Sequence, residues 1–197
     1  MGSNRVSSIV AVAALSACAY EPEALNSERI ENRFGSYGIE VLSHSAGIRR
    51  SSLYSYDDDQ QICRTYAVVQ FEDDSTPRVA EAHASVLAGQ SIGATFKSTG
   101  WKIKKSTVHV GHLPSVEPSH SIGTLMQLKE PTDLGIHAYK LILEKDAQSM
   151  NYATIVETHH PEYLSVEELN SLYGDEVESH LDENEIGKLF MLVLNTD

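Results

Sequence analysis

Gly89-Gln90-Ser91-Ile92-Gly93 fits the G-x-S-x-G pattern that holds a serine nucleophile on a sharp turn. Acyl transfer from Ser91 would need an acid and then a histidine later in the chain, and Asp133 or Asp146 followed by His159 supplies that order. There are nine histidines in 197 residues, and His109, His112, His159 and His160 fall near the ends of β-like runs. Neutral imidazole is the commonest metal ligand, so these four are the candidates for a zinc or copper site. Their spacing forms no H-E-x-x-H, and the adjacent His159 and His160 point to opposite faces of an extended chain. The residue types alone therefore commit to no catalytic residue, no metal and no cofactor, and the chain reads as non-enzymatic.

The elements that would have to position Ser91 also speak against a nucleophile. A strand would have to end at Ala88, whereas "PRVAEAHASVLA" is alanine-rich and follows Ser75-Thr76-Pro77, a cap with proline at the first helical position. Ala84, Leu87, Ala88, Ser91, Ile92, Thr95 and Phe96 continue one helical face through the motif, and Gly100 is the stop. This predicts one helix to Thr99, with Gly89 and Gly93 as small residues that let it lie close to a sheet.

Beyond that helix, short β-like runs dominate: "GIEVL", "IRRSSLYSY", "QQICRTYAVVQF", "WKIKKSTVHVG", "TLMQL", "GIHAYKLILEK" and "MNYATIVET". Brief turn signals such as Asp57-Asp58-Asp59 separate several of them, which makes neighbouring strands antiparallel. A second helix is expected at "SVEELNSLY", where Ser165 and Glu168 make a capping box and Gly174 follows. The fold class is α+β: an antiparallel sheet with two main helices packed on one face. The pattern also admits a ββα repeat, with Tyr66-Ala67 and Tyr152-Ala153 in matching places.

Other segments read simply. "GHLPSVEPSHSIG" is the longest irregular stretch, Trp101 starts a strand as a core aromatic, and "EELNSLYGDEVESHLDENE" is a solvated acidic face. Segment 183–195 fits either a helix capped by Asp182 and Glu185 or a buried strand, with the helix favoured by its one-sided apolar spacing. Cys63 alternates with Ala67, Val69 and Phe71, as a small buried thiol would.

With 15 Lys+Arg against 28 Asp+Glu, a net −13, the chain lacks the basic patch that nucleic acid requires. The basic clusters Arg49-Arg50 and Lys102, Lys104, Lys105 are small. Arg5 is followed by a short uncharged apolar run and then Leu15-Ser16-Ala17-Cys18, an arrangement typical of a secretory signal and too short to span a bilayer.

Leu15-Ser16-Ala17-Cys18 resembles the lipobox of bacterial lipoproteins. The resemblance covers the first 18 residues only, and the rest of the chain is not matched by it to a characterised family. It implies cleavage before Cys18, acylation of that cysteine including a palmitate-type chain, and a partnership with the membrane through the lipid anchor. Ala19, where an aspartate would retain the protein at the inner membrane, favours the outer membrane. The organisation expected is a signal peptide over 1–17, a tether over 18–33 and one domain over 34–197. The function class is a cell-envelope protein facing the periplasm or surface with a structural or binding role, toward an envelope protein partner or a metal or small ligand. If Cys18 were not acylated, a Cys18–Cys63 disulfide would be the alternative in an oxidising compartment. The anchor is checked by alkyne-fatty-acid labelling in a bacterial host: label on the wild-type chain and none on Cys18→Ser is expected, and label retained by the variant contradicts it.

Overall fold

Strand β3 (Gln60–Phe71) is buried along almost its whole length, so both of its faces must be covered. It lies inside a six-stranded antiparallel sheet of order β1-β2-β3-β6-β5-β4, with β1 Gly38–Ser45, β2 Ile48–Asp57, β4 Lys102–Val116, β5 Thr132–Lys145 and β6 Gln148–His159. The computed structural model describes residues 24–73, 76–177 and 181–195. The segment 1–17 expected as a signal, Cys18 and the first part of the expected tether lie outside the described residues. No helix among the described residues is long and apolar enough to cross a membrane.

Helices cover both faces of the sheet, not one. Along β5, Leu134, Ile136 and Ala138 turn to a cluster completed by α4 (Ser121–Leu125) and α6 (Glu183–Leu194). Tyr139, Leu141 and Leu143 turn to the opposite side, toward α2 (Ala80–Leu87) and α3 (Ile92–Ser98). On that same side, α1 (Asn26–Phe34) and α5 (Val166–Tyr173) pack through Ile30, Leu169 and Tyr173. Helix α1 begins inside the segment expected as tether, because Ile30 is fully buried and anchors it to the sheet. The capping boxes at Ser165/Glu168 and Asp182/Glu185 are both formed, and segment 183–195 starts a helix as its spacing favoured.

The helix expected to run through residues 89–93 is broken there. Gly89 has φ +104°, which ends α2, and Ser91 is the N-cap residue of α3. The Gln90 amide donates to the Ser85 carbonyl across this turn. Gly93 does not approach the sheet; a side chain there would collide with Leu25 at the start of α1.

Other expectations are revised by tertiary context. Much of the proposed loop is strand: β4 continues to Val116 because Leu113 and Val116 are buried, with irregular pairing around Pro114. "TLMQL" is not a strand; Ile122 and Met126, four apart and fully buried, place it at the end of α4. A bulge at Leu53/Tyr54 shifts the phase of β3, so Cys63 joins Tyr66 and Val68 on the α6 side while Ala67, Val69 and Phe71 face the other. Cys63 is free and 2% exposed, and burial pushes its thiol up to about 12. Tyr66 and Tyr152 fall on opposite faces, so the two tyrosines do not occupy equivalent places in a repeat.

Two glycines separate packing from backbone propensity. A Cβ on buried Gly123 would sit 2.1 Å from the Glu117 carbonyl oxygen, whereas Gly187 in α6 is exposed with nothing within 4 Å. Urea unfolding of Gly123→Ala should show a loss of about 2 kcal/mol. Gly187→Ala should gain roughly 0.5–1 kcal/mol through helix propensity; equal shifts in the two variants would contradict this packing.

Candidate functional site

Strand register places polar side chains where the sheet is covered. On the α1/α3 side, Arg49, Val69, Ile155, Tyr139 and Thr107 lie side by side across five strands. The neighbouring row is Ser51, Ala67, Glu157, His137 and Val110. Alternation alone dictates this: Arg49 is in phase with Ser51 and Leu53, and Glu157 with Ile155, all on the inward face.

Between these rows and the roof formed by α1 and α3 is a cavity of about 80 Å³. An engineered apolar cavity of about 150 Å³ takes benzene, so this one has room for a molecule of a few heavy atoms. Its floor is Ala67, Val69 and Ile155, and its roof includes Leu25, Ile92 and Gly93. Leu25, Ile103 and Lys105 also line the surface groove outside, which makes them the mouth. Above it, Lys97 on α3 pairs with Glu28 on α1 at 3.2 Å, an exposed contact worth at most about 1 kcal/mol.

The two ends of the cavity differ in electrostatics. At the β4/β5/β6 end, Tyr139 donates to Glu157 at 3.1 Å, and the half-buried Lys105 ammonium lies 4.8 Å from the Tyr139 ring centroid. Burial lowers the Lys105 pKa while Glu157 opposes that fall, and burial with Glu157 drives Tyr139 well above its ordinary value. Here a buried acid faces a cation and a phenol.

At the β2 end the Arg49 side chain is 1% exposed. Its Nε donates to Ser51 at 3.0 Å, and its Nη1 to the carbonyls of Val86 at 2.9 Å and Gln90 at 3.2 Å. Those two carbonyls belong to the end of α2 and the turn before Ser91, so this guanidinium holds the break in the helix. Nη2 has no hydrogen-bond partner, and among the described residues no carboxylate pairs with Arg49. Burial lowers its pKa, and the groups that oppose this are the phenols of Tyr152 and Tyr37. Tyr37 also lines the cavity, its buried hydroxyl without a hydrogen bond of good geometry but beside the Ser91 hydroxyl; burial raises its pKa, with Ser91 and Arg49 opposing and Glu157 adding to the rise.

The residues singled out by type are distributed differently. Ser91 lines the cavity, but no histidine does so among the described residues, and neither Asp133 nor Asp146 lines it. His109 packs edge-on against Phe190 on the α6 side, while His112 is exposed. His159 is buried on the opposite face against Thr65 and Tyr163, and His160 Nδ1 accepts from the Glu162 amide. The four are not brought to one point, and no group of three metal-binding side chains occurs among the described residues. The cavity residues Arg49, Tyr37, Lys105, Tyr139 and Glu157 were not legible as a set. The available signal was a charge on the core phase of a strand, Arg49 in "IRRSSLYSY" and Glu157 in "MNYATIVET".

No protein-family description matches the sequence, and no curated protein matches it.

Beside the cavity, two histidines are buried uncharged. His137 stacks on Tyr173 at 4.1 Å, its Nε2 3.1 Å from the Thr107 hydroxyl, and burial holds its pKa well below the ordinary value. His159 is 1% exposed, and burial lowers its pKa from 6.5 to about 4. The unfolded chain therefore takes up protons at a higher pH than the fold does, so stability is full above pH 6.5 and declines as the pH falls toward 4. His159 accounts for about 3 kcal/mol of that decline. Urea midpoints for His159→Gln should fall less than those of the wild type across this window; parallel declines would contradict the burial of a neutral imidazole.

Proposed function

We propose that this chain is a non-enzymatic, lipid-anchored envelope protein that binds a small organic ligand in the cavity beneath α1 and α3. The observation that carries this is the cavity itself: an apolar floor, a defined mouth, and polar groups aligned by strand register at both ends. Small-molecule sites combine an apolar lining with a few placed polar groups in this way. The anchor is proposed on the lipobox-like Leu15-Ser16-Ala17-Cys18. Leu25 at the mouth is the seventh residue after Cys18, a reach of at most about 25 Å, so acylation of Cys18 would keep the mouth near the membrane, the outer membrane being favoured.

The reading favours small-ligand binding over a metal site because the histidines are dispersed, and over serine hydrolysis because neither His159 nor Asp133 nor Asp146 lines the cavity with Ser91. Titration of methyl-labelled protein with 1-butanol tests the cavity. The methyl signals of Val69 and Ile155 should shift saturably, and Ala67→Phe, which fills the floor, should remove those shifts while unfolding remains cooperative. Shifts that survive Ala67→Phe, or that never involve these two residues, would overturn the reading.

A further inference from the structure

We infer that the cavity takes a small carboxylate, its anionic oxygens accepting from Arg49 Nη2 and Tyr37 Oη and its short apolar body resting on Val69 and Ile155. This rests on the cavity being a ligand site, and it names the ligand's head.

Buried donors without acceptors are rare in folded proteins and costly, and a buried charge without a partner more so. Arg49 Nη2 and Tyr37 Oη are two such donors lining one cavity. The other guanidinium nitrogens are used by Ser51 and two carbonyls, so the side chain cannot swing away to find a partner without releasing the end of α2. All of these partners are neutral, so the positive charge is met by no anion. A ligand oxygen bearing negative charge would satisfy both donors and the charge together.

The opposite end of the cavity decides the orientation. Lys105 already faces Glu157, and Glu157 already accepts from Tyr139. A carboxylate placed there would meet like charge. Between the ends, Val69 and Ile155 are apolar and adjacent across β3 and β6, which suits a short hydrocarbon body. The volume of about 80 Å³ limits that body to a few carbons.

Competing heads on one body test this. Dissociation constants for butanoate, 1-butanol and butylamine are measured at pH 7 from the Val69 and Ile155 methyl shifts. Butanoate should bind about tenfold or more tightly than the alcohol, as a charge-assisted hydrogen bond requires. Arg49→Met should bring butanoate down to the alcohol's level. Because Arg49 also holds the end of α2, Tyr37→Phe provides the second arm: its hydroxyl, beside Ser91, holds no helix end, so the urea midpoint should stay close to that of the wild type while butanoate weakens about threefold to tenfold and the alcohol far less. Equal binding of acid and alcohol overturns the assignment of the head while leaving the cavity reading intact. Tightest binding by the amine also overturns it and makes Glu157 the recognising group. If no compound shifts the two methyl signals, the cavity reading itself fails and the inference falls with it.

Discussion

A guanidinium enclosed in protein is the constraint around which one face of this molecule is arranged. Arg49 enters the interior because strand alternation leaves it no other side, with Ser51 and Leu53 in the same phase. Once inside it must be hydrogen-bonded, and the donors it commits to Val86 and Gln90 fix where α2 stops and α3 starts. The turn that Gly89 makes presents those carbonyls to Arg49 and sets Ser91 at the start of α3.

The polar row therefore has two characters. Where Glu157, Tyr139 and Lys105 meet, acid, phenol and cation answer one another, and His137 and Thr107 extend the set in the interior. Where Arg49 and Tyr37 meet, there is no anion, and Arg49 Nη2 has no acceptor. A sheet that buries both faces normally fills its central positions with apolar residues, as β3 and β6 do with Val68, Val69, Ile155 and Val156. Placing charge in that setting costs stability, and a ligand oxygen gives it a chemical purpose.

Much of the scaffold was legible because its causes are local. Capping at Ser165 and Asp182, and the antiparallel hairpins around Asp58 and Asp146, follow from residue chemistry within a few positions. What was not legible depends on partners far along the chain. The helical face through Ala88 and Ser91 is continuous in sequence; Gly89 permits the break, and Arg49, some forty residues earlier, holds it. The phase of Cys63 changes at a bulge that no alternation rule locates. Leu113 and Val116 extend β4 through Pro114, in a stretch that reads as loop, because the buried β5 beside them offers a strand to pair with. The cavity was hidden for the same reason: its members come from six strands and two helices, each contributing one to three residues that look unremarkable in their own segment.

The most direct measurement is a crystal structure of the protein with butanoate bound. The account predicts a carboxylate oxygen about 3 Å from both Arg49 Nη2 and Tyr37 Oη, with the alkyl chain over Val69 and Ile155. A carboxylate beside Lys105, or butanoate only outside the mouth formed by Leu25 and Ile103, would contradict it.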